Sequence, residues 1–189
     1  MNKERQVIKP GTIVFFNRNV NGAELESLSD KSLTVVICGD LFLEKYFRFN
    51  GNLYVEGNVN ENQNIEINGD FICGGEINLK DIYIEGDFKA YNSSVNARNI
   101  TVSGEFYAYS VDSHEITVNE FFYAEDVNSL DICVGGDFSC ESIDANHADI
   151  SVAGDFECRD GIERAGCITV LGKMNVDRTI EADTIKVGL

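Results

Sequence analysis

The sequence predicts an all-β fold, a single-stranded three-sided β-helix (β-solenoid) preceded by an N-terminal cap. Three observations predict it. A unit reading Ile-x-Val-x-Gly-Asp-Phe-x-(Ala/Cys) restarts at Val35, Leu53, Ile65, Ile82, Ile100, Ile116, Ile132, Ile150, Ile168 and, truncated, Ile185, at intervals of 18, 12, 17, 18, 16, 16, 18, 18 and 17 residues. Self-similarity at a short fixed period marks a stack whose units bury their apolar side chains only against their neighbours. Within each unit apolar and polar residues alternate, β-branched residues and Phe are frequent, and Gly, Asp and Asn separate the runs, as in short strands joined by turns. Finally, each full unit holds three alternating pairs, one for each side of the coil. About nine rungs at ~4.8 Å spacing make a rod roughly 40 Å long.

The elements follow in order. Residues 1–33 do not repeat; Ile13 to Phe16 reads as a strand, and Gly22 to Asp30 as a short helix with Leu25 and Leu28 on one side. A first rung left bare exposes apolar side chains and unpaired backbone, so 1–33 is read as a capping segment and 34–189 as the repeat domain. In the repeats, Ile100/Val102 typifies the first pair, Phe106/Ala108 the second and Val111/Ser113 the third. Side chains at i and i+2 share one face of a strand, so all three pairs point to one interior. Two places resist this scheme. The interval from Leu53 to Ile65 is too short for three sides and sets Glu61 in an inward slot, and Arg164 follows Ile162 where an inward residue is expected. A register shift or a longer turn would each carry Arg164 outward.

Composition narrows the function classes. The 189 residues carry a formal net charge of −17, with 15 Lys and Arg against 32 Asp and Glu. Phosphate backbones are bound through Lys and Arg, so nucleic acid is not an expected partner, and neither is an anionic membrane surface. Charged outward faces that keep stacked strands soluble account for the acidity. Residues Met1 to Gln6 lead into no long apolar run, and no stretch reaches the ~18 apolar residues of a membrane span. The expectation is a soluble cytoplasmic protein without a membrane span. The six cysteines include no C-x-x-C pair, and Cys73, Cys140 and Cys158 fill the small slot after Phe that Ala90, Ala108 and Ala124 fill elsewhere. Cys38, Cys133 and Cys167 fall between inward positions.

No catalytic, cofactor or metal site is expected. The acidic column Asp40, Asn58, Asp70, Asp87, Glu105, Asp137 and Asp155, broken by Phe121 and ended by Lys173, is read as a corner in which Gly supplies the backbone conformation and Asp bonds nearby turn amides. The G-G-x-G-x-D calcium pattern of other solenoids is absent. His114 and His147 occupy turns, and no Ser/His/Asp grouping, phosphate-binding glycine loop or acidic or histidine partner to a cysteine occurs, so the chain is not expected to be an enzyme.

Two surfaces stand out. Outward positions set Tyr107 beside Tyr123 and Tyr91 beside Tyr109, while Phe121 replaces the corner Asp and Glu120 its Gly. Tyr91, Tyr107, Tyr109, Phe121 and Tyr123 therefore form an exposed cluster. Cross-strand pairing that stiffens the sheet and a contact patch for a protein or a glycan explain it equally well. At the far end, Ile185, Val187 and Leu189 begin another rung that meets no capping segment.

The motifs Gly136-Asp137-Phe138-Ser139-Cys140, Ile143-Asp144-Ala145 and Ile150-Ser151-Val152 resemble those of the bactofilins, bacterial polymer-forming cytoskeletal proteins, over roughly residues 34 to 189. The resemblance implies a right-handed β-helix and non-enzymatic scaffolding through end-to-end or side-to-side association. This sequence departs in using Phe where that family shows Ile or Val, in its acidity and in its N-terminal segment. The expectation is a cytoplasmic structural scaffold that associates with itself through the Ile185, Val187, Leu189 rung. The alternative is a binding module that holds a protein or glycan on the aromatic face.

Overall fold

The computed structural model describes residues 11–28 and 33–188, which wind into a β-solenoid of about ten coils. Strands stack in parallel from coil to coil and form three faces. Face A comprises Ile13–Phe16, Thr34–Ile37, Asn52–Val55, Phe71–Cys73, residues 88–90, 106–108, 122–124, 138–140 and 156–158, and Met174–Val176. Face B starts with Val20–Asn21, Leu41–Phe42, Val59–Asn60 and Ile77–Asn78, and continues through Val95, Val111, Val127, Ile143, Ile162 and Ile180. Face C starts with Phe47–Phe49 and Ile65–Ile67, and continues through Ile82, Ile100, Ile116, Ile132, Ile150, Ile168 and Ile185.

The inward residues of all three faces form one continuous core, as the alternating pairs require. Six phenylalanines, Phe71, Phe88, Phe106, Phe122, Phe138 and Phe156, stack along the inside of face A. Their centroids lie 4.7–5.2 Å apart and their planes within 2–12° of parallel. That separation is the coil repeat itself, so the near-parallel rings repeat in step with the coils and form one continuous column. On face B the small inward slots include Ser113 and Ser129, both buried. Their hydroxyls lie 3.3 Å apart, and Ser129 also donates within reach of the His114 and Asp131 carbonyls.

The first coils correct the sequence register. Val35 and Leu53 do not belong with the Ile-x-Val strands: Val35/Ile37 and Leu53/Val55 lie beneath Phe71/Cys73 on face A, while Phe47/Phe49 lie beneath Ile65/Ile67 on face C. Every step from Val35 to Leu53 to Phe71, and from Phe47 to Ile65, is then 18 residues, and the 12-residue interval disappears. The physical reason is volume exchange. In these coils the large rings sit on face C and the aliphatics on face A, which keeps the cross-section filled while inverting the cue. Glu61 accordingly lies in a corner, its amide bonded to Asn78 O.

At Arg164 the register shifts between Ile162 and Ala165. Ala165 takes the inward place, and Arg164, at φ +55°, turns outward to pair with Asp144.

The stack also starts earlier than residue 34. Ile13–Phe16 pairs in register with Thr34–Ile37, so Val14 and Phe16 already face inward as a first coil. Its third side is the helix α1, Gly22–Glu26, capped by Asn21: the Asn21 side chain accepts from the Ala23 amide, and Glu24 accepts from the Asn21 amide. Leu25 is fully buried, and a Cβ on Gly22 would meet Leu43 and Phe47 at 2.9–3.0 Å, so the helix lies directly on the first strand of face C.

Candidate functional site

The Gly-Asp corners resolve into inter-coil ladders. What reads as one column is two: Asn19, Asp40 and Asn58 line the corner between faces A and B, and Asn52, Asp70, Asp87, Asp137 and Asp155 the corner between C and A. In each case the side-chain Oδ1 accepts from the backbone amide one coil on, for example Asp40 from Asn58 (2.8 Å), Asp87 from Glu105 (3.0 Å) and Asp155 from Lys173 (2.8 Å). Asp149 does the same for Cys167 at the remaining corner. The glycines do not supply a special backbone conformation. Gly86, Gly104, Gly154 and Gly172 all lie outside the positive-φ set, but a Cβ on any of them would run into the carboxylate of the coil beneath. Each of these nine Asp or Asn residues has a Gly above it; above Glu76 and Glu105, whose side chains make no such bond, stand Ser93 and Glu120. The carboxylates of this column are therefore spent on the backbone. Among the described residues no three His, Cys, Asp or Glu side chains converge as metal ligands would.

The ladder breaks at Glu120 and Phe121, and the aromatic cluster forms there. Phe121 lays its ring against Tyr107 at 5.4 Å, and Tyr107 contacts Tyr91 and Tyr123 at 6.4 Å each, all at tilts of 37–47°. Lys89 Nζ lies 5.5 Å from the Tyr107 ring centre and 3.0 Å from Asp87 Oδ2. Partial burial pushes the Tyr107 phenol up, with the Glu105 carboxylate adding to it. Four of the five residues thus meet. Tyr109 is exposed and makes no ring contact with Tyr91, because a bulge between Ala90 and Ser94, with Asn92 at φ +57°, displaces Tyr91.

The corrected register shows what sequence reasoning missed. The outward column that holds Tyr107 and Tyr123 runs back through Lys89, Ile72, Tyr54 and Val36 to Phe15. The equivalent column of face B opens with Asn21 and Phe42 and continues as Asn60, Asn78, Asn96, Asp112, Asn128 and Asp144, and that of face C reads Arg48, Glu66, Tyr83, Thr101, Thr117, Cys133, Ser151, Thr169 and Lys186. From Phe15 to Tyr123 face A is the most apolar outside, and beyond Tyr123 its column turns polar at Ser139, Glu157 and Asn175. A second feature without a sequence signal is Asp81, 2% exposed, held by Arg98 at 2.8 and 3.0 Å and by Asn99 at 2.9 Å.

The other predicted surface is the last described coil. Ile180, Ile185 and Val187 stand above Ile162, Ile168 and Val170 in the inward columns. The lower three are fully buried, yet Ile180, Ile185 and Val187 are 38%, 46% and 44% exposed, and among the described residues Thr179–Val187 has a neighbour along one edge only. Leu189 lies outside the described residues.

No known protein family matches the chain, and no curated protein or solved structure shows significant similarity to it.

Proposed function

We propose that the protein is a non-enzymatic, bactofilin-like scaffold of the cytoplasm that associates with itself through the face formed by Ile180, Ile185 and Val187. The observation that carries this reading is the exposure of three core-column residues beside an unpaired strand edge. Two such faces in contact bury both apolar sets and supply partners for both edges. Charge supports the same face. In a protein of net charge −17, residues 173–187 carry Lys173, Arg178 and Lys186 against Asp177, Glu181 and Asp183, so this coil is neutral and contact between copies meets little repulsion. At the opposite end α1 covers face C and Val20 and Leu25 are buried, while Ile13–Phe16 on face A is paired along one edge among the described residues; the two ends therefore differ in shape, and like ends are expected to pair into a closed dimer.

Light scattering on a size-exclusion column across a concentration series tests this. The expected result is growth toward twice 20.9 kDa, lost in Ile185→Asp/Val187→Asp. A monomer at every concentration, or a variant that associates like the parent, overturns it.

A further inference from the structure

We infer that the outside of face A is a docking surface for a basic amphipathic α-helix of a partner protein. Phe15, Val36, Tyr54, Ile72, Tyr107 and Tyr123 succeed one another coil by coil in a single outward column, interrupted only by Lys89. Phe15 is 68% exposed and the others are partly buried, each still presenting an outward edge. Six coil steps of ~4.8 Å make the stripe about 29 Å long. A helix of about 19 residues spans that length, and its ~5.4 Å turn nearly matches the coil step, so one apolar residue per turn meets one residue of the stripe per coil.

The backbone argues for a helix over an extended peptide. From Thr34–Ile37 to residues 156–158 the strands of face A are paired to the coils on either side, which leaves no edge along that stretch for strand addition, so an occupant lying along it has to bring its own hydrogen bonds satisfied. Electrostatics sets the charge of the occupant. Asp40, Glu56 and Glu76 flank the stripe on one side, and Asp70, Asp87 and Glu105 on the other. Lys89, 3.0 Å from Asp87 and 3.9 Å from Glu105, offsets part of the second rail, so the uncompensated acidic side is the one formed by Asp40, Glu56 and Glu76. A second copy of this chain would set acidic rails against acidic rails. Lysines and arginines bordering an apolar helix face complete the arrangement.

The test uses three fluorescent 19-residue peptides with the protein at 150 mM salt. One has leucines at i, i+3, i+4 and i+7 flanked by lysines, one is a scramble of identical composition, and one carries glutamates for lysines. The amphipathic lysine peptide is expected to bind at least about ten-fold tighter than the scramble, and the glutamate peptide not to bind. Tyr54→Ser/Ile72→Ser/Tyr107→Ser, checked for native circular dichroism, is expected to erase that margin. Glu56→Gln/Glu76→Gln/Glu105→Gln is expected to flatten the salt dependence. Equal binding of the scramble overturns the inference on the unaltered protein, whatever the variants do. So does a margin that survives in the serine variant, a stripe substitution that changes the oligomeric state of the free protein, or displacement of the peptide by a neutral glucan.

Discussion

Replacing Gly104 by Ala tests why the corners carry glycine. A Cβ there falls well inside contact distance of Asp87 Oδ1, and lies 2.9–3.0 Å from the Gly86 carbonyl. The carbonyl contact is itself too short for a Cβ, so the backbone has to shift as well as the carboxylate. To make room, Asp87 has to leave the Glu105 amide, a charge-assisted bond of 3.0 Å. Overpacking costs about 1–3 kcal/mol and loss of the bond about 1–2 kcal/mol, so Gly104→Ala is expected to cost about 3 kcal/mol. That corresponds to a fall of roughly 6–12 °C in Tm for a chain of this length. Asp87→Ala alone removes the bond and costs about 1–2 kcal/mol. The double variant is expected to cost little more than Gly104→Ala by itself, a coupling of about 1–2 kcal/mol, because the methyl occupies space the carboxylate has vacated. Urea denaturation followed by circular dichroism on the four proteins measures the cycle. Additivity within ~0.5 kcal/mol would refute the reasoning and return the glycine to a purely conformational role.

Two further outcomes are expected. Burial alone would raise the Asp87 carboxyl, but the Glu105 amide and the Lys89 ammonium outweigh it and hold it below the ordinary carboxylate range. The stability this confers is complete above the unfolded value near ~4 and is lost as pH falls through the lower folded value. Asp87→Asn keeps an acceptor at the site, as Asn52 and Asn58 do naturally, so its deficit relative to the parent should shrink on titration from pH 6 to pH 3; a deficit independent of pH counts against the assignment. Cysteine labelling should separate two classes of thiol. Cys133 is exposed and should react first with a disulfide reagent, followed by Cys38, whose thiol is pushed up by partial burial and by Glu56. Cys73, pushed up by burial to about 11, should stay silent with Cys140 and Cys158 until the protein unfolds, and a native count of four or more fast thiols would contradict the packing.

The solenoid was legible because inward pairs at i and i+2 recur in every coil, and nearly all of them are buried. What such a pair does not state is which face it lines, since the alternation is the same on all three. From Phe71 onward the large ring identifies face A. Before it, Phe47 and Phe49 lie on face C and Leu53 on face A, and the cue points the wrong way. That one inversion merged two Asp and Asn columns into one. It also hid the outward stripe, because Val36 and Tyr54 then fall on a different face from Tyr107. The Tyr107, Phe121 and Tyr123 cluster was readable because it lies in coils where register is unambiguous. Asp81 with Arg98 was not, since a single buried carboxylate at a corner has no repeating partner.

The interruption at Phe121 also bears on how the rod would fail under load. Among the described residues, the corner between faces C and A has neither the Asp-to-amide bond nor the glycine-to-glycine backbone bond on either side of Phe121, whereas Gly86, Gly104, Gly154 and Gly172 each bond the coil below. A pull along the axis is shared by every bond between adjacent coils, and the coils flanking Phe121 offset the loss at this corner with eleven and ten paired residues, against six between the first two coils among the described residues. Each coil that peels away exchanges ~4.8 Å of rod for roughly 60 Å of extended chain, so unravelling would begin at the sparsely paired first coils, and the middle of the stack, gap at Phe121 included, would outlast them.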